Sequence, residues 1–144
     1  MLIGASSAPI SANTWASGRG PGAHAARILS GTATAHLHLV KVDGSRLIEV
    51  GPVSGALVGS ARAELKTGAV LKGSFTITTP RGSITGHGQA NPHGSGRYQS
   101  FSGWFLVSSG TGRYAHISGR AGLYGVFDVR TDALVIQTTG KFSY

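Results

Sequence analysis

Apolar and polar residues alternate with a period of two along most of this chain, which is the pattern of β-strands with one buried face. The segment 32–39 shows this pattern most clearly. Its alanines and leucines fall on one face, and its threonines fall on the other face together with His36 and His38. Such a strand buries its apolar face against a core and leaves its polar face in water.

Eight segments of this kind follow one another at roughly even spacing, and no helical period separates them. They are predicted at residues 32–39, 46–50, 53–65, 70–79, 83–90, 98–108, 121–129 and 133–142. Turn signals lie between them, among them Asp43-Gly44, Pro80-Arg81-Gly82 and the loop 91–96. This arrangement predicts a β-sandwich or a closed barrel. A barrel is favoured, because closure removes edge strands and the 23 glycines suit sharply coiled strands.

The predicted organisation is a single all-β domain, an eight-stranded antiparallel β-barrel over residues 28–144, preceded by an irregular N-terminal arm over residues 1–27. The arm is rich in Ala, Ser, Gly and Pro and has no sustained period. It lacks the charged start and the apolar centre of a signal peptide. No apolar run approaches the roughly 20 residues that span a bilayer, so no membrane span is predicted. We expect Trp15 to dock against the barrel, because an exposed indole is costly.

The chain carries a net charge of +8, from 13 Lys and Arg against 5 Asp and Glu. Its arginines are spread singly, mostly at turns and strand ends, without a basic run or a recognition helix. This distribution favours solubility or weak adhesion to polyanions over specific recognition of nucleic acid. The lack of cysteine excludes disulfides, thiolate nucleophiles and cysteine-ligated zinc sites.

The C-terminal half carries a distinctive series of turns and strands. G-S-F-T-I-T-T-P-R-G-S-I-T-G-H-G begins at Gly73, S-G-T-G-R-Y ends at Tyr114, and V-F-D ends at Asp128 before a final apolar strand. This half resembles the allene oxide cyclase and dirigent proteins, a superfamily of eight-stranded barrels, and also short bacterial exported proteins with a similar turn. The resemblance implies an apolar small molecule bound in the barrel, a homo-oligomer that is often trimeric, and a secreted or cell-surface location.

The chemistry of that family relies on acidic or basic groups inside the barrel, so the resemblance implies that catalytic residues would be of these types. The five acidic residues of the chain are Asp43, Glu49, Glu64, Asp128 and Asp132. The aspartates lie in turn signals, where such side chains cap backbone groups. Glu49 and Glu64 remain as candidates, with Tyr98 and Tyr124 beside them. Neither glutamate falls in a motif that aligns with a catalytic residue of the family.

The pair His36 and His38 is a candidate metal site, since residues two apart on a strand point to the same face. A third ligand would have to come from His87, His116 or a glutamate. The favoured interpretation is that both imidazoles lie on the solvent side of a half-buried strand, because metal-binding histidines normally need supporting partners. No metal and no cofactor is therefore predicted.

Aromatic residues cluster in the C-terminal half and are predicted to fill the core. Phe101 and Phe105 share one face of the strand 98–108, and together with Phe127 they are the predicted contacts of a ligand in the lumen. Trp104 and Leu106 lie on the opposite face. Two apolar faces on one strand indicate that one packs the lumen and the other meets a second subunit. Trp104 and Leu106 are therefore predicted at the interface of a homo-oligomer.

Three functions fit these observations. The favoured one is a non-catalytic barrel that binds an apolar small molecule, self-associates, or does both, because the interior of an eight-stranded barrel has room for one small ligand. The first alternative is an enzyme, a cyclase or isomerase that acts on an apolar substrate held in the lumen. The second alternative is a structural or filament-forming extracellular protein, which the glycine content and the two-sided apolar strand would allow.

Overall fold

A computed structural model describes residues 27–144, in which every strand has two antiparallel neighbours. The strands are β1 (Ile28–Asp43), β2 (Arg46–Gly55), β3 (Gly59–Lys66), β4 (Leu71–Thr79), β5 (Gly82–His93), β6 (Tyr98–Gly110), β7 (Ser118–Asp128) and β8 (Ala133–Ser143). Each strand pairs with the next along the chain, and β8 returns to pair with β1. The predicted eight-stranded antiparallel barrel is confirmed. The predicted arm and the docking of Trp15 lie outside the described residues and stay predictions.

The two ends of the described chain meet where the barrel closes. The N–H of Arg27 donates to the carbonyl of Tyr144, and the N–H of Tyr144 donates to the carbonyl of Arg27, each at 2.9 Å. The pairing of β1 with β8 then begins with Ile28 opposite Ser143 and continues without a register shift. The first and last strands are thus held together along their whole shared length.

Side-chain alternation places one face of every strand in the lumen. On β1 the small and apolar residues, Leu37 among them, belong to the core or pack against it, while His36 and His38 are exposed on the outer face. Leu134 on β8 pairs with Leu37 and is 1% exposed. The alternation predicted for β1 is therefore the pattern that fills the barrel, and burial of these inward side chains is the main term that favours folding.

The boundary between the second and third strands differs from the sequence prediction. β2 continues through Gly51 and Pro52, whereas the sequence predicted an interruption there. Both residues pair with β3, as Gly51 with Ala61 and Pro52 with Ser60. The pairing register with β1 omits these two positions, which suits a proline that has no N–H to donate. The pairing with β3 thus outweighs the local tendency of glycine and proline to end a strand.

The strand β5 is also longer than predicted. Its last three residues, 91–93, were expected in a loop, but they pair with residues 100–102 of β6. The connection is confined to residues 94–97, where Gly94 and Gly96 have φ angles of 80° and 94°. Only glycine adopts such angles without strain, so the turn forms at these two residues and the flanking segment is free to extend the sheet.

One end of the barrel is covered by the segment that connects β6 to β7. A 3₁₀ helix, Gly112–Tyr114, follows the glycine turn, and the side chains of Tyr114 and Ile117 are buried in the core. The turn lies against the β4–β5 hairpin, because the N–H of Arg113 donates to the carbonyl of Arg81 at 2.8 Å. We call this the capped end of the barrel.

Within residues 27–144 the structure contains no helix with the length and apolar character needed to cross a membrane.

Candidate functional site

The lumen of the barrel contains a partly open apolar cavity of about 160 Å³. Small inward residues leave this space open: Ala33 and Ala35 line it from β1, and Ala61 and Ala63 line it from β3. Alanine fills less volume than the leucine or isoleucine that such positions usually carry, and an eight-stranded barrel with full-sized side chains has no room to spare. These alanines therefore account for the cavity. Their small size at inward positions is a sequence signal that could have predicted it.

Aromatic rings also line the cavity. The ring of Phe105 is buried and meets Phe75 edge-on at 5.5 Å between centroids, and Phe142 lies 5.7 Å from Phe105. Phe101 also lines the cavity and is buried. Phe127, the third predicted ligand contact, packs against the core but is not among the lining residues. The three predicted positions thus share the inward face, and two of them, Phe101 and Phe105, reach the cavity.

Glu49 is buried in the lumen beside this cavity. It lies on the inward face of β2, between Leu39 of β1 and Ala63 of β3, and its exposed fraction is 0%. A β-bulge at Val40 follows the pairing of Leu39 with Glu49. Bulges change the direction of neighbouring side chains, so this irregularity contributes to the position of the carboxyl group.

The carboxyl group of Glu49 has an unusual environment. Among the described residues, neither of its oxygens has a hydrogen-bond partner. Burial raises the pKa of Glu49 from its ordinary value of 4.5 to about 7, and the nearby carboxylate of Asp132 raises it in the same direction. Glu49 is therefore partly protonated at neutral pH and is able to accept or release a proton there.

The other three candidate catalytic residues lie elsewhere on the molecule. Glu64 is on the outer face of β3, where it pairs with Arg46 at 2.9 Å between Nη1 and Oε1. Tyr98 and Tyr124 are exposed, with more than half of each surface accessible. The barrel wall therefore separates Glu64, Tyr98 and Tyr124 from Glu49, and the four residues do not form one site.

The two candidate metal ligands, His36 and His38, lie together on the exposed face of β1. Residues 27–144 contain no group of three or more histidine and acidic side chains that could hold a metal ion. His38 pairs with Val50 on one side and with Ala133 on the other, so its neighbours in the sheet offer no further ligand. The described residues therefore give this pair no third ligand.

Trp104 and Leu106, the predicted interface residues, lie on the outer face of β6 and are half-buried. The guanidinium group of Arg120 lies 4.8 Å from the centroid of the Trp104 ring. This contact within the chain accounts for part of the burial of Trp104. Self-association through Trp104 and Leu106 stays a prediction.

An open groove of about 440 Å³ crosses the outer face beside Trp104. Its walls come from β2 to β6, and we call it the basic groove; its members are Arg46, Glu64, Lys66, Lys72, Ser74, His87, Gln89 and Trp104, with the backbone of Gly73 and Gly88. This surface was not predicted from the sequence, because its residues come from five strands whose register a local pattern does not contain.

No family model, no curated protein and no solved structure matches this chain. The cavity, Glu49 and the basic groove are therefore interpreted from their geometry and their chemistry.

Proposed function

We propose that the barrel binds a small apolar molecule in its lumen. The observation that carries this proposal is the cavity of about 160 Å³, whose wall is built almost wholly from alanines, aliphatic side chains and phenylalanines. An apolar cavity of this kind holds water poorly, since a buried water needs two to four polar partners. An apolar ligand would gain dispersion contacts with this apolar wall.

The volume of the cavity limits the size of the ligand. An engineered apolar cavity of about 150 Å³ in another protein stays dry and binds benzene. Drug-sized ligands usually occupy pockets of about 300 Å³ or more. The expected ligand is therefore a compact hydrocarbon or a substituted ring of about the size of benzene. The resemblance to allene oxide cyclase and dirigent barrels, which bind apolar small molecules, supports the same ligand class.

Thermal unfolding of the full chain in the presence of benzene tests this proposal. A ligand that binds only the folded state raises the midpoint by mass action, so we expect a rise of a few degrees at millimolar benzene. 1,4-Dioxane, a ring of similar size with two ether oxygens, should give a smaller rise. An equal response to both compounds would contradict binding in an apolar cavity.

Two variants locate the binding. Ala61 lines the cavity and is 8% exposed, so Ala61→Leu should fill part of the space and remove the response to benzene. Ala69 is exposed in the connection between β3 and β4, and Ala69→Leu makes the same change outside the cavity. A response that survives Ala61→Leu in a folded protein would place the binding elsewhere. Ala63→Val, a smaller change in the same wall, serves if Ala61→Leu unfolds the chain.

A second candidate function is a cyclase or isomerase, and Glu49 is the observation that favours it. A carboxyl group with a pKa near 7 is suited to transfer protons at neutral pH. Glu49 does not line the cavity itself, but it pairs with Ala63, which does.

Any ligand found by the unfolding assay is incubated with the native protein and with Glu49→Gln, and conversion of the ligand to a product is followed by NMR. Conversion by the native protein alone supports an enzyme, and conversion by neither supports a binding protein.

A further inference from the structure

The basic groove is built on two rows of outward side chains that run across the strands. In the first row Arg46, Lys66, Lys72, Gln89 and Trp104 are direct partners on successive strands from β2 to β6. Neighbouring strands lie about 4.8 Å apart, so this row is about 19 Å long. Direct partners in a sheet share one face, and the register therefore places three cations, an amide and an indole in one line.

The second row runs beside the first and has an acidic residue at one end and a cation at the other. It joins Glu64, Ser74, His87, Leu106 and Arg120 on strands β3 to β7. Arg120 pairs in turn with Lys141 on β8. The two rows together place cations toward β2–β4 and toward β7–β8, with His87, Gln89, Trp104 and Leu106 between them.

The positive charge of the groove is not balanced within the described residues. Glu64 is its one acidic member, and this carboxylate is already paired with Arg46 at 2.9 Å. Within residues 27–144 neither Lys66 nor Lys72 has an ion-pair partner, and residues 1–26 contain no acidic residue that could supply one. The two adjacent ammonium groups repel each other, which costs stability that a bound anion would restore.

Trp104 adds an apolar surface at the end of the first row. Arg120 lies over its ring at 4.8 Å, which holds the indole beside the strand surface. Its partner on β7 is Gly122, whose missing side chain leaves the neighbouring surface open: a Cβ there would lie 3.9 Å from the nearest atom, the carbonyl oxygen of Gly103. A flat ring of this kind can contact the C–H face of a sugar.

We propose that the basic groove binds an acidic polysaccharide, with its carboxylate or sulfate groups on Lys66 and Lys72 and a sugar ring against Trp104. Ammonium groups bind such anions through charge-assisted hydrogen bonds. Ser74 lies beside Lys72, and His87 and Gln89 lie between the lysines and the tryptophan; the hydrogen-bonding groups of these three side chains suit the hydroxyl groups of a sugar chain. The groove faces outward and its proposed ligand differs from that of the cavity, but the two sites adjoin, since both are lined by Lys72, Gly73, Ser74, Gly88 and Gln89.

Single-stranded nucleic acid fits the groove less well. Proteins that bind it usually stack successive bases on several aromatic side chains along a basic track. The basic groove contains one aromatic residue, at one end of its charged row. Nucleic acid therefore enters the experiment as the competing outcome.

Retention of the full chain in gels that contain polygalacturonate tests the proposal, with neutral dextran and oligo(dT) as the comparison probes. We expect polygalacturonate to retain the protein and dextran not to retain it. The double variant Lys66→Gln/Lys72→Gln should raise the dissociation constant for polygalacturonate about tenfold, since two charge-assisted contacts are lost. Trp104→Ala should weaken binding of polygalacturonate severalfold while the net charge stays the same.

The matched control is Arg81→Gln/Arg130→Gln, which removes two positive charges from exposed turns away from the groove. It should change the dissociation constant less than twofold. Equal losses in the two double variants would show that only net charge matters and would overturn the site. Tighter binding of oligo(dT) than of polygalacturonate would also overturn it, in favour of nucleic acid, and so would unchanged binding by Trp104→Ala.

Discussion

At the scale of single residues, Glu49 gives the barrel a dependence on pH. Its pKa is about 7 in the folded protein and about 4.5 when the chain unfolds, so the folded state holds the proton more tightly. Protonation of Glu49 therefore raises the free energy of unfolding by roughly 3 kcal/mol. This contribution is complete below pH 4.5 and is lost as the pH rises to about 7. Urea unfolding between pH 4 and 8 should show this loss. Glu49→Gln should remove it, and Glu64→Gln, which changes an exposed glutamate, should retain it. A native stability that is flat over this range would contradict the burial of an unpaired carboxyl group.

Some features of single residues in the cavity can be predicted from the sequence, and others cannot. The inward positions of Phe101 and Phe105 follow from alternation alone, because neighbours two apart on a strand must share a face. The environment of Glu49 does not follow from it. Glu49 and Glu64 both lie in apolar strands, and only the closed sheet shows that one faces the lumen while the other pairs with Arg46 outside. A pairing between distant strands is information that a local pattern does not contain.

At the scale of strands, Gly51 is the position that lets β2 lie close to β1. A Cβ there would come within 1.9 Å of the carbonyl oxygen of His36, a backbone atom that cannot move aside alone. Gly51→Ala should therefore lower the free energy of unfolding by about 1–3 kcal/mol, as overpacking does. Gly122→Ala is the control, since its nearest contact is at 3.9 Å. Chemical denaturation of both variants checks this, and equal stabilities would show that the strands can separate at no cost.

The strand boundaries at two proline-containing segments differ from those predicted from the sequence. Gly and Pro at 51–52 and Asn and Pro at 91–92 predict breaks by local propensity, yet both pairs lie inside strands. In each case the neighbouring strand continues to pair with the segment, so long-range hydrogen bonds outweigh the local preference. The loop was predicted at residues 91–96, but β5 continues to pair through His93 and the connection therefore begins at residue 94.

At the scale of the whole molecule, the basic groove and the predicted self-association compete for one surface. A contact between two copies through Trp104 and Leu106 would place the unpaired Lys66 and Lys72 of each copy near the subunit contact, because Lys72 is two strands from Trp104 in the same row. Repulsion between like charges is screened by salt, so this association should strengthen as the salt concentration rises from about 0.05 M to about 1 M. Sedimentation equilibrium of the native protein and of Trp104→Ala measures it. An association that weakens with salt, or that survives Trp104→Ala, would place the subunit contact on another surface.

The paired hydrogen bonds between Arg27 and Tyr144 hold the two ends of the described chain next to each other. A chain whose ends are neighbours can be rejoined there and opened elsewhere while it keeps the same set of strand pairs. The connection at residues 94–97 is exposed and lies at the opposite end of the barrel from the capped end. If Tyr144 were joined to Arg27 through a short linker and the chain were opened within this connection, β6 would become the first strand of the barrel to be synthesised and β5 the last. The order in which the strands leave the ribosome would change, but each strand would keep both of its neighbours.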